Sequence, residues 1–215
     1  MSFAFASVHG GAIFVPRGGH LLMRKAFHHA IWPWLVALAA TPMPVIAKNA
    51  PAFELKLDID QDGKADRALV LQEAGGPADL YIYLDEERSD PSRLPDFVKK
   101  GLTEDRVIDL ESKGKGSLLV RSCFGCGASK STEETLTIVD RQGKFLVGGY
   151  SRSWDWNQQK SSGVETTLGD CDINYLTGKG TVSKDLEPGK PVEGKFKPVP
   201  LKDWSSEMRP KACDF

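Results

Sequence analysis

Asp58-Ile-Asp60-Gln-Asp62-Gly63-Lys64-Ala-Asp66 gathers four carboxylates into nine residues. With Asp58 as position 1, acids stand at positions 1, 3, 5 and 9, and Gly63 stands at 6. Lys64, at position 7, offers its backbone carbonyl. Hard oxygen ligands drawn together by a glycine turn are what Ca2+ requires. Four like charges this close repel, and a bound cation offsets that repulsion. The same residues also suit a solvated acidic hairpin turn, because Asp and Gly are favoured there. An EF-hand would place a bidentate Glu at position 12, where this chain has Leu69. Its flanks would be helices, whereas Phe53–Leu57 and Arg67–Glu73 read as strands. The expectation is a structural Ca2+ loop between two strands, with a weak Kd of about 10⁻⁴–10⁻³ M.

Cys123, Cys126, Cys171 and Cys213 are the second group able to do chemistry. An even number predicts two disulfides if the chain reaches an oxidising compartment, and three connectivities remain open. A bond to Cys213, third from the end, would pin the C-terminal segment to the domain. The alternatives are a redox Cys123-Phe-Gly-Cys126 motif or a four-cysteine zinc site. A redox pair needs its first thiol acidified by the start of a helix. Here a polar, loop-like stretch follows, and then a strand. The distant single cysteines do not match zinc-ligand spacing.

Tyr150, Arg152, Trp154 and Trp156 fall on one face of a strand and form a candidate ligand face. Exposed, such a stripe would stack on a glycan or an envelope protein. Buried, it would pack a sheet end, with Arg152 reaching to water. Glu133, Glu134, Asp155, Asp170 and Asp172 are the carboxylates with the chemistry for a His-free hydrolase. Spacing assigns no catalytic residue among them. No G-x-S-x-G, P-loop or dinucleotide fingerprint occurs in the chain.

The elements that must position these groups are strands. Phe53/Leu55/Leu57, Leu80/Ile82/Leu84, Leu136/Ile138 and Cys171/Ile173/Tyr175 alternate with polar or half-polar residues. Val107–Leu110, Ser117–Arg121 and Lys144–Trp156 read as strands from their aliphatic, β-branched and aromatic content. Ser112–Gly116 and Asp140–Lys144 read as hairpin turns, with Gly143 suited to a left-handed position. Pro95–Gly101 and Leu201–Met208 read as short helical turns. Gly75–Ala78, Asn157–Gly163 and Lys184–Lys197 read as loops. The fold class is therefore mostly β: an antiparallel sheet domain, sandwich or partial propeller-like, with one or two short helices.

Composition separates two unlike parts. The 215 residues carry a formal charge of −1, with four His. Residues 1–47 hold His9, His20, His28 and His29, the bases Arg17, Arg24 and Lys25, and no acid. Taking that +3 from −1 leaves −4 for residues 48–215, which hold every cysteine and no histidine. Histidine-dependent catalysis and His-ligated metals are excluded from that second part. Arg24-Lys25, the apolar run Ala30–Ala40 and Val45-Ile-Ala47 have the three parts of a signal peptide over residues 23–47. A membrane span needs about 20 apolar residues, and this run is roughly half that, with Pro33 inside it. Residues 1–22 fit no part of a signal peptide and read as a non-native upstream extension. The expectation is one β domain over 48–215, periplasmic or secreted, not membrane-spanning after cleavage. Its negative charge gives no reason to expect nucleic acid.

Strand, D-x-D-x-D-G-x-x-D, strand over Ala52–Gln72 resembles the calcium loop of FG-GAP or VCBS-type repeats. That resemblance implies Asp58, Asp60, Asp62 and Asp66 as side-chain ligands. It also implies roles in exported and adhesive proteins. Family repeats build propeller blades, each with its own loop, whereas this chain has one such loop. The remainder, with C-F-G-C-G and C-D-I-N-Y-L-T-G-K-G, looks like small exported proteins of Gram-negative bacteria. Together these readings predict a binding or structural module of the cell envelope rather than an enzyme.

Overall fold

Alternation along each strand decides which face is buried. In the strand Ala78–Tyr83, Ala78, Leu80 and Ile82 have no exposed surface, while Asp79, Tyr81 and Tyr83 keep some. That is the period-two signature of a sheet with one face on a core. The computed structural model describes residues 53–86, 90, 92–114, 116–192 and 194–214. The expected leader and upstream stretch lie outside these residues.

Strands β1 (Phe53–Leu57), β2 (Asp66–Gln72), β3 (Ala78–Tyr83) and β4 (Phe97–Thr103) form one sheet in that order. A second sheet runs β5 (Arg106–Ser112), β6 (Ser117–Phe124), β7 (Lys130–Asp140), β8 (Phe145–Lys160), β9 (Gly163–Asn174), β10 (Lys179–Lys184) and β11 (Lys190–Val192). Each strand pairs antiparallel with its sequence neighbours, so both sheets are meanders. Neither sheet closes on itself. The short β12 (Val199–Pro200) pairs with Val147 and Leu146 of β8, beyond the end of β9.

The two sheets share one core. Val70, Leu80, Ile82 and Leu102 from the first sheet belong to the same buried cluster as Leu118, Ile138, Val147 and Ile173 from the second. Burying a large aliphatic side chain contributes roughly 1.5–3 kcal/mol, so this shared cluster is the main favourable contribution to folding. The C-terminal segment adds Leu201, Trp204 and Cys213, all buried. It runs as three short 3-10 turns, Leu201–Asp203, Ser206–Met208 and Lys211–Cys213. No α-helix occurs among the described residues.

The expected mostly β, antiparallel class is the observed one. Both predicted hairpins are present. At Asp140–Lys144 the amides of Arg141 and Lys144 bond to each other's carbonyls, and Gly143 takes φ +73°. Pro95–Gly101 is corrected. It is largely strand β4, whose backbone pairs with β3 instead of turning on itself. Asn157–Gly163 is also corrected. The β8–β9 ladder continues to Lys160 and Gly163, so only the tip is a loop. In Lys184–Lys197, Lys190–Val192 forms the edge strand β11 on β10.

Candidate cation site

The β1–β2 connection carries the acidic loop, and its backbone bends back through its own carboxylates. Asp60 Oδ1 accepts the Asp62 amide at 3.1 Å, Asp62 Oδ1 the Lys64 amide at 2.8 Å, and Asp58 Oδ2 the Gly63 amide at 3.1 Å. Gly63 takes φ +92°, a conformation that a side chain would strain. Asp66 begins β2 on the same face as Ala68 and Val70 and is fully buried. Its Oδ2 accepts the Ile59 amide at 2.7 Å, and its Oδ1 accepts the Asp85 amide at 2.9 Å. Ile59 itself is fully buried, which draws the loop down onto the core.

Three of the four predicted side-chain ligands converge. One carboxylate oxygen from each of Asp58, Asp60 and Asp66 lies within 4.8 Å of the other two. Oxygens bound to one Ca2+ at about 2.3–2.6 Å are at most about 5 Å apart, so this spacing fits a single ion. Asp58 Oδ1 is buried and has no hydrogen-bond partner. An orphaned carboxylate oxygen beside two further carboxylates is costly unless a cation or donor meets it. The hard-oxygen donor set fits Ca2+. Asp62 stands apart from this group. The Lys64 ammonium lies 3.1 Å from Asp62 Oδ2 and donates to Asp85 Oδ1 at 2.9 Å.

The charges follow this geometry. Burial holds the Asp66 carboxyl above the usual carboxylate range, despite the two amides that favour its anion. The amide of Lys64, then its ammonium, hold Asp62 below that range. The hydrogen bond to Asp85, with a second to Asp62, pushes Lys64 up to about 12.

Asp85 and its neighbour Glu86 are the partners that sequence reasoning missed. They come from the β3–β4 connection, and no spacing within the acidic loop announces them. Glu86 accepts from Arg67 Nη2 in a buried pair, the two side chains being 5% and 4% exposed. Arg67 also lies 4.3 Å over the Tyr83 ring. The acidic loop, β2 and the β3–β4 connection are thus one bonded unit.

The cysteines pair at disulfide distance as Cys123–Cys126 and Cys171–Cys213, with Cα separations of 5.7 and 5.4 Å. The second pair holds the tail to β9. Arg209 reinforces it, 3.1 Å from Asp105 and 2.8 Å from Glu134. Arg152 donates to the Cys213 carbonyl at 2.9 Å. A turn and then strand β7 follow Cys126, with no helix start at the first thiol.

The Tyr150–Trp156 stripe is not an exposed aromatic surface. Tyr150 is in the core, 6.2 Å from the Trp204 ring centroid. Trp154 is buried over Gly169, where a Cβ would overlap the indole. Trp156 is half-buried, with Lys130 Nζ 5.5 Å from its ring centroid. Among the carboxylates, Glu134 is buried against Arg209 and Arg152. Glu133, Asp155 and Asp170 line a shallow depression on the second sheet, but Glu133 is engaged by Arg121 at 3.0 Å. Asp172 lies two residues beyond Asp170 on β9, opposite Ser151 and Thr181.

Comparison with known proteins finds no protein-family model, no curated protein and no solved structure that matches this chain. Among the described residues no helix is long and apolar enough to cross a membrane.

Proposed function

We propose that the protein is an exported binding or structural module of a bacterial cell envelope, periplasmic or secreted. A calcium ion closes its Asp58–Asp66 loop. The observation that carries this reading is the convergence of Asp58, Asp60 and Asp66 within 4.8 Å, with Asp58 Oδ1 buried and without a donor. The ion would supply charge neutralisation and cross-linking of the loop. The chain's own contribution is to orient the ligands. Gly63 permits the turn, Ile59 anchors it, and Asp66 ties it to Asp85.

Cysteine pairing and the charge asymmetry of the chain support export. A binding role takes support from Phe124, which is 65% exposed between Cys123 and Cys126. The partner class is an envelope protein or a glycan. Hydrolysis by carboxylates is the weaker reading, because Glu134 is buried in ion pairs and Glu133 is held by Arg121. Thiol-redox chemistry is weaker too, because a turn and a strand follow Cys126.

Affinity capture from envelope extract, with calcium and then with chelator, tests the role. A defined partner retained only with calcium is the expected result. Hydrolytic or reductase activity with no retained partner would overturn the reading.

A further inference from the structure

Lys64 stands inside the acidic loop as a cation that belongs to the chain. Its ammonium sits 3.1 Å from Asp62 Oδ2 and 2.9 Å from Asp85 Oδ1. Asp62 is the one acid of the D-x-D-x-D-G-x-x-D pattern missing from the converging group. Its Oδ1 accepts the Lys64 amide at 2.8 Å, so one residue engages both carboxylate oxygens of Asp62. We propose that Lys64 is an internal competitor for Asp62, which withholds that ligand from a bound divalent cation and thereby sets the loop's affinity. This rests on the cation reading of the loop given above.

The chemistry is an exchange. A divalent ion that recruits Asp62 must displace an ammonium from it. Asp85 gives the displaced ammonium a second anchor, so Lys64 need not leave the loop. The Lys64 side chain is 62% exposed and that of Asp62 36%, and exposed pairs of this kind are individually weak. Competition is therefore graded, lowering affinity without closing the site. A side chain at position 64 that cannot carry charge would release Asp62 Oδ2 to complete the ligand set, while Oδ1 keeps the backbone amide. The loop so altered would gain both a carboxylate ligand and net negative charge, and ligand charge count is what tunes such sites.

The test is a double-mutant cycle read by calorimetric titration of Ca2+ into the chelator-stripped full chain. Lys64→Met should bind Ca2+ about fivefold more tightly than the parent chain, the size of an exposed ion pair. In the Asp62→Ala background, where no ligand remains to be withheld, Lys64→Met should change affinity by less than about twofold. An equal gain in both backgrounds would mean that Lys64 acts only as a distant charge, and would overturn the proposal. So would an unchanged affinity of Lys64→Met while the parent chain binds, which leaves the calcium reading intact. If neither chain takes up Ca2+, the calcium reading fails, and this proposal fails with it.

Discussion

Asp66 accepts the backbone amide of Asp85 at 2.9 Å across nineteen residues of sequence. With its other oxygen it accepts the amide of Ile59 at 2.7 Å. One buried carboxylate therefore joins the acidic loop to the β3–β4 connection. Asp66→Ala leaves both amides without that acceptor and should cost about 2–4 kcal/mol. The check is urea unfolding in excess chelator, so that lost metal binding does not contribute. An unchanged midpoint would show that Asp66 matters only as a ligand.

Arg67 and Glu86 form the buried ion pair beside that joint. Arg67 Nε and Glu86 Oε2 have no hydrogen-bond partner, so the pair is incompletely satisfied. Removing one partner leaves a buried charge with only a longer ion pair, Arg67 with Glu54 at 3.8 Å or Glu86 with Arg93 at 3.7 Å, and should cost about 3–5 kcal/mol. Replacing both with apolar residues should cost much less. Unfolding free energies of Glu86→Leu, Arg67→Met and the double variant test this. A double variant as unstable as the sum of the singles would contradict it.

The two cysteine pairs should differ in worth. Cys171–Cys213 closes 42 residues of chain and Cys123–Cys126 closes three. Loop-closure entropy gives about 4 kcal/mol for the longer loop and under about 2 kcal/mol for the shorter. Double serine variants of each pair, compared by urea unfolding, should fall in that order. The tail pair should also lower protection of the Leu201–Trp204 amides against hydrogen exchange when it is lost.

Glu134 predicts a pH dependence. Burial raises its carboxyl above the ordinary value of 4.5, while Arg209 and Arg152 pull the other way. The folded state then holds this proton more tightly than the unfolded chain does. Its contribution to stability is greatest below 4.5 and is lost as pH rises through the raised folded value. Stability measured across that window should fall for the parent chain relative to Glu134→Gln. Parallel profiles would remove Glu134 as the source.

Much of this architecture is legible in the residues. Phe53–Leu57 and the Leu80/Ile82 alternation name their strands, because one face of each is buried and the other is not. β4 is hidden for the opposite reason. It is the last strand of its sheet, its burial is broken at Lys100 and Gly101, and Gly101 takes φ +59°. Pro95 and Gly101 therefore look like the ends of a helix. The outer ladder of β8 and β9 is hidden because it runs past the core, leaving Gln158–Gly163 exposed and held by backbone pairing and a surface Lys160–Glu165 ion pair. In the acidic loop, spacing names Asp58, Asp60, Asp62 and Asp66 together, and three of the four converge. The diversion of Asp62 onto Lys64 is not legible, since spacing alone does not say which oxygens turn to the ammonium, nor that Asp85 arrives from another connection to anchor it.

The proposed calcium site places one divalent cation between Asp58, Asp60 and Asp66. Calorimetric titration of Ca2+ into the chelator-stripped full chain, with Asp58→Asn alongside, tests it most directly. The prediction is a single site with a Kd of about 10⁻⁴–10⁻³ M, abolished or strongly weakened in Asp58→Asn. At about a hundredfold excess over Kd the ion should add about 2.7 kcal/mol to stability, a shift of roughly 5–10 °C in Tm. No binding heat, together with a Tm unmoved by calcium or chelator, would mean that these carboxylates hold no calcium.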